Sequence, residues 1–160
     1  MGMQYEYKEL MTEAQIEHLL PLCKLQHAHA YGHLVYNEDA VRATFKTVLN
    51  DTDRIYFNTY ICYRNGEAIG YVLCSRNKYY FNEGFFGHLD MWFVDQKFRG
   101  TRAAIELIRK YEDWARALGC VEIWTSVGIP NINEAKVTID ILQKYDYEPY
   151  GAVLTKRVIK

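Results

Sequence analysis

The sequence is short of most features that would sort it at once. It has four cysteines, Cys23, Cys62, Cys74 and Cys120, and no C-x-x-C pair. That excludes a disulfide scaffold and leaves reduced, mostly buried thiols as the expectation. No apolar run is long enough to span a bilayer, and the N-terminal stretch lacks a signal-peptide layout. A cytoplasmic protein with no membrane partner is therefore expected. The net charge is only −1, without the basic excess of a phosphate-backbone binder, so no nucleic-acid partner is expected either. Repeats, low-complexity tracts and interdomain linkers are missing, which predicts one domain over residues 1–160. There is no G-x-S-x-G, and no cysteine neighbours a His–Asp couple, so nothing calls for a covalent intermediate. His27, His29 and His33 suggest zinc by count. Their H-x-H-x-x-x-H spacing straddles a predicted helix end, with no further ligand to complete it, so no metal is expected.

What is present is a globular composition. Of 160 residues, 49% are hydrophobic and 24% charged, and a chain of this length buries roughly 70% of its unfolded surface. Tyrosine is abundant, with 14 copies, either as packing or as amphipathic rings lining a cleft. The chain is organised around His88 to Gly119. His88 to Val94 reads as a central strand covered on both faces. From Ala104 the apolar residues Leu107, Ile108, Tyr111, Trp114, Ala115 and Leu118 recur at helical spacing, opposite a charged face, and Gly119 stops the helix. Between strand and helix lies a basic turn, Gln96 to Ala104. It aims backbone N–H groups and a helix dipole at one point and adds Lys97, Arg99 and Arg102, a site suited to a phosphate-bearing ligand.

The remaining elements follow in order. Tyr5 to Leu10 is a first strand, and Thr12 with Gln15 caps a helix that Pro21 should kink or split. A second helix starts at Asn37. Ile55 to Tyr63 and Ala68 to Cys74 are strands joined at Asn65-Gly66, a strong hairpin signal. Asn77 to Gly87 is a polar, aromatic connection. Val121 to Ser126 is a strand parallel to the central one, by the crossover rule. Asn133 to Tyr145 is a helix, and Glu148 to Val158 supplies one or two closing strands.

The turn resembles motif A of the GNAT superfamily of acyl-CoA-dependent N-acetyltransferases, usually V-x-P-x-(F/Y)-(R/Q)-G-x-G-x-(G/A). Val94, Phe98, Arg99, Gly100 and Ala104 fit. Arg102 stands at a usual glycine, and Asp95-Gln96 replaces the common proline. Some members carry R-G-x-R-A-A followed by an E-x-W-A helix, as in Glu112 to Ala115. The element order β-α-α-β-β-β-α-β-α-β is also that of the GNAT fold. Leu142 to Glu148 resembles the family's closing Y-E-K-x-G-F-E, with Leu142 in place of tyrosine and Asp146 in place of glycine. The resemblance implies an α/β (α+β) fold with a mixed central sheet of six to seven strands and helices on both faces.

It also implies a site. Backbone amides of Arg99, Gly100, Thr101, Arg102, Ala103 and Ala104 would hold the pyrophosphate of acetyl-CoA, the expected cosubstrate. The strand edge at Phe93 and Val94 would pair with the pantetheine arm, and the Val94 N–H would face the thioester oxygen. Asn131 or Asn133 would bond the pantetheine, with helix capping as the rival role of Asn133. The amine must lose a proton before it attacks. Alternation puts His88, Asp90 and Trp92 on one face of the strand and Leu89, Met91 and Phe93 on the other, and family bases often project from this strand. His88 and Asp90 are the candidate base, unordered between them, against a core polar pair as the rival. Tyr145, one turn beyond Leu142, is the substitute general acid. Tyr31, His33, Tyr36 and Tyr80 are acceptor-binding candidates in the cleft.

The implied reaction is acetyl transfer from acetyl-CoA to a primary amine, on a small molecule or a protein, by direct attack in a ternary complex. Homodimers are common among similar proteins. Two rivals stand beside it: a catalytically degenerate GNAT-fold acyl-CoA-binding or regulatory module, and a metal enzyme built on the histidine cluster.

Overall fold

The computed structural model describes residues 4–127, 129, 131–151 and 154–158. They fall into two compact units, Met1–Thr125 and Ser126–Lys160, each described by itself.

The first unit is a five-stranded sheet in the order β1-β2-β3-β4-β5. Its strands are β1 (Tyr5–Glu9), β2 (Phe57–Arg64), β3 (Glu67–Lys78), β4 (Phe85–Val94) and β5 (Glu122–Thr125), and its helices are α1 (Glu13–Ala30), α2 (Glu38–Asn50) and α3 (Ala103–Ala117). Neighbours from β1 to β4 are antiparallel, whereas β5 joins β4 in parallel after the α3 crossover, so the sheet is mixed. The Asn65-Gly66 turn joins β2 to β3 with φ of 50° and 83°, as a type I′ hairpin requires.

Two faces of the sheet are covered. On one, Leu10, Ile16, Leu19, Phe45, Val48, Ile61, Tyr71, Leu73 and Phe93 form a buried core between the sheet and the pair α1 and α2. On the other, α3 lies so close that a Cβ on Gly87 would stand 3.1 Å from the Ala115 Cβ, and one on Gly70 would stand 3.3 Å from the Leu107 Cδ1. Tyr71 is fully buried at the centre of the first face, where its hydroxyl bonds Gln26 and the Cys23 thiol. A buried phenol needs such partners.

Thr12 and Gln15 cap α1 reciprocally, as the sequence predicts. Pro21, however, does not split that helix, which continues unbroken for 18 residues. Tertiary packing overrides the lost N–H: Ile16, Leu19, Leu20, Leu22 and Cys23 are all buried on both sides of the proline. Asn37 caps α2 by accepting from the Ala40 N–H.

In the second unit α4 (Ile132–Gln143) is capped by Asn131 rather than by Asn133. The Asn131 Oδ1 accepts from the N–H groups of Asn133 and Glu134, because helix entry comes one residue after Asn131 and leaves Asn133 inside the first turn. The helix ends before Tyr145, which therefore stands in the turn after α4 and not on its face. No described residue of Glu148 to Val158 is in a strand, and Ala152 and Val153 lie outside the described residues. The sheet thus has five strands among the described residues, not six or seven.

Candidate functional site

The register of β4 decides what the site can be. Leu73 lies opposite Met91 and Cys74 opposite Leu89, so Asp90 has no partner across the ladder and forms a β-bulge. Directly opposed residues share a face. Met91 and Phe93 therefore point with Leu73 and Tyr71 into the α1–α2 side, while Leu89 points with Cys74 to the α3 side. His88 lies opposite Ser75 and so returns to the α1–α2 side. Simple alternation, which groups His88 with Trp92 and Leu89 with Met91, fails here because one extra residue inverts everything on one side of the bulge. The consequence is functional: His88 and Phe93 share a face.

At the bulge His88 Nδ1 stands 2.8 Å from the Asp90 Oδ1. Both side chains remain partly solvent-accessible, so they are not a sealed core pair. The bulge is also where the sheet opens. β5 pairs with β4 from Phe86 to Leu89 and no further, so from Asp90 onward the β4 edge on that side has no strand partner among the described residues. The Asp95 N–H bonds the Ile69 carbonyl on the β3 side. Main-chain groups alternate along a strand, so the Val94 N–H and carbonyl point to the open edge. The Arg99 Nε donates to that Val94 carbonyl at 3.4 Å.

The basic turn follows. Asp95 accepts from the Lys97 N–H at 3.0 Å and starts a 3-10 turn over Gln96–Phe98. Gly100 then takes φ of 80°, a conformation that costs an ordinary residue about 1–2 kcal/mol. The Thr101 hydroxyl donates to the Phe98 carbonyl at 2.7 Å and accepts from the Ala103 N–H. Gly100, Thr101 and Arg102 have main-chain N–H groups with no acceptor among the described residues. Arg102 is the N-cap of α3 and supplies no side-chain cap. An uncapped N-terminus flanked by unpaired donors favours an anion. Arg102 has φ of −69°, an ordinary right-handed value, so an arginine replaces the usual glycine here without backbone strain. Its guanidinium is exposed and lies 3.6 Å from the Glu106 carboxylate. Asp146, the other departure at a glycine, does take a positive φ of 66°, which aspartate tolerates better than most residues. Neither substitution breaks the local backbone.

A cleft of about 440 Å³ lies between Leu25, Ala28 and His29 of α1 and the run Phe93, Asp95, Gln96 and Lys97. His29 Nδ1 and Gln96 Nε2 stand 3.4 Å apart across it. No local pattern signals that pair, because its members are 67 residues apart. The histidines do not assemble further: the His27 ring packs on Tyr36 at 5.2 Å, and no group of three metal-ligating side chains occurs among the described residues.

The acceptor candidates do not converge. Tyr36 donates to the Leu20 carbonyl at 3.4 Å and anchors the α1–α2 loop to α1. Tyr31 ends α1, His33 is exposed in the following loop, and Tyr80 is 98% exposed at the tip between β3 and β4. A set missed in the sequence lies instead at the start of β4. Phe86 sits opposite Glu122, and His88 opposite Trp124. The Phe86 ring lies 4.9 Å from Tyr79 and 5.1 Å from Trp124. The pattern of Val121 to Ser126 predicts a strand, but its register against β4 depends on residues far away in sequence.

Comparison with known proteins agrees with this geometry. The model of the acetyltransferase (GNAT) family matches residues 13–137. Among solved structures, an aminoglycoside N-acetyltransferase AAC(6')-Iy in complex with CoA superposes with TM-score 0.78 and 21% identity, over 98% of this chain and 96% of that one. Glucosamine-6-phosphate N-acetyltransferase from Arabidopsis thaliana gives 0.75 and 14%, over 98% and 99%. A Trypanosoma brucei acetyltransferase gives 0.74 and 13%, over 97% and 100%. Comparison with curated protein sequences finds no match. With the family model spanning most of the chain, and the bulged strand, open edge and uncapped α3 in their places, the chain belongs to the GNAT family of acetyltransferases.

Proposed function

We propose that the protein transfers an acetyl group from acetyl-CoA to a primary amine by direct attack in a ternary complex. The observation that carries this reading is the opening of the sheet at Asp90, which joins the uncapped α3 terminus to the His88–Asp90 pair along one strand. The free N–H groups from Gly100 to Arg102, with the first turn of α3 and the guanidinium of Arg102, hold the pyrophosphate. The open edge at Phe93 and Val94 receives the pantetheine arm, and the outward N–H of Val94 donates to the thioester oxygen as negative charge develops there.

The acceptor arrives as an ammonium and loses one proton to the His88–Asp90 pair, directly or through water. Its nitrogen then forms a bond to the carbonyl carbon while the carbon–sulfur bond breaks. The nitrogen then sheds its second proton, which passes through water to the departing thiolate, while the first leaves the pair to solvent, so the transfer is balanced with no further reactant. CoA-bound and bisubstrate-bound structures among the neighbours support the cosubstrate, and neighbours named for aminoglycosides and glucosamine-6-phosphate support a small-molecule amine.

Thiol release from acetyl-CoA over a panel of amines tests the reading. Acceptor-dependent release, with the acetylated amine identified by mass, is expected. Tight CoA binding with no release on any amine would instead favour a binding module.

A further inference from the structure

Beyond the thioester, the α1–α2 side of the sheet continues past His88 as a surface of different character. Tyr79, just after β3, Phe86 on β4 and Trp124 on β5 form a tilted aromatic row. Glu122 stands beside it, and both the Tyr79 hydroxyl and the Trp124 Nε1–H donate to its Oε2. These two bonds fix the carboxylate against the rings and hold its pKa below the ordinary range. Glu122 is exposed, and no described residue donates to its other oxygen, Oε1. The nearby cation Lys78 is already paired with Glu83 at 2.7 Å. A pre-oriented anion at the edge of an aromatic row attracts an ammonium through both charge and ring quadrupole.

The register ties this surface to the reactive pair. Trp124 lies opposite His88, and Glu122 opposite Phe86, four residues before Asp90. Four strand residues span about 13 Å, less the reach of the two side chains. We propose that Glu122, Trp124, Phe86 and Tyr79 form a specificity subsite for a second cationic group of the acceptor, so that the preferred substrates are amines carrying a distal positive charge. The inference rests on the acetyl-transfer reading only for the placement of the reactive amine; the subsite itself is a binding property.

The test therefore reads binding as well as turnover. The full chain is titrated with hexamethylenediamine while the indole N–H resonance of Trp124, assigned by its loss in Trp124→Leu, is followed by NMR. A saturable shift is expected, weakened by added salt and lost in Glu122→Gln, with hexanediol producing none. In turnover, the preference in kcat/KM for the diamine over hexylamine should fall about three- to tenfold in Glu122→Gln, as for a partly exposed ion pair with a cation–π component. An indole signal unmoved by millimolar diamine, moved equally by hexanediol, or unaffected by Glu122→Gln would overturn the subsite. Thiol release that persists without any diamine preference would overturn it too, and would leave acetyl transfer standing.

Discussion

His88 Nδ1 is held 2.8 Å from the Asp90 Oδ1, two residues along the same strand and across the bulge that turns His88 to the face of Phe93. If the pair removes the acceptor's proton as a unit, losing either member should cost most of what both contribute. Asp90→Asn and His88→Ala are each expected to lower kcat about a hundredfold or more, the usual scale of a general base. The double variant should be little worse than either single one, with acetyl-CoA binding retained. Steady-state kinetics with parallel binding titrations checks this; additive losses would separate the two residues.

The turn makes a different prediction. Gly100 has nothing near its Cα, so a methyl group there meets no atom, and only its positive φ resists substitution. Gly100→Ala should therefore disturb the N–H groups at the anion site more than the fold. The expected result is a severalfold or larger rise in the KM for acetyl-CoA and a loss of about 1–2 kcal/mol in stability. Arg102→Ala removes a guanidinium without backbone change, so its effect on KM should shrink as salt is raised.

Packing is tested at Gly70. A Cβ there would stand 2.9 Å from both the Phe93 carbonyl and the Val94 Cγ2. Because a backbone oxygen cannot step aside cheaply, Gly70→Ala should destabilise by about 1–3 kcal/mol. Phe45→Ala, which empties a fully buried site, should cost about 3–5 kcal/mol. Denaturant unfolding measures both.

Burial pushes the Cys23 and Cys62 thiols up to about 11, each slightly offset by a tyrosine hydroxyl, and raises Cys74 strongly as well. A group whose folded pKa lies above its unfolded one favours folding fully below the unfolded pKa and loses that contribution as pH climbs through the folded one. Stability should therefore decline from about pH 9 upward. On the acid side, burial would raise the Asp51 carboxyl, but the N–H groups of Phe57, Tyr56 and Ile55 outweigh it and hold it low. That contribution is present above the ordinary aspartate pKa and fades as pH falls through the depressed value. Thermal melts across pH measure both limbs, and Asp51→Asn should flatten the acid one. A thiol reagent at neutral pH should modify half-buried Cys120 well before the other three.

Much of this architecture was written locally. The Thr12 cap, the Asn65-Gly66 turn, the amphipathic α3 and the turn at Gly100 each rest on residues close in sequence, and each appears where the pattern puts it. What escaped depends on pairing across distance. The bulge at Asp90 exists only relative to β3, so alternation along β4 alone assigned His88 to the wrong face. Glu122 and Trp124 gain their neighbours from Phe86 on β4 and Tyr79 just after β3, both far away in sequence. Pro21 predicted a break that the buried side chains around it do not allow, and the α4 cap moved from Asn133 to Asn131, where either residue type suits the role.

The most direct test of the whole account is isothermal titration of acetyl-CoA into the protein. One saturable site per chain is predicted, weakened by salt and by Gly100→Ala but retained in Asp90→Asn. Absence of binding at millimolar acetyl-CoA, or binding indifferent to the turn, would contradict it.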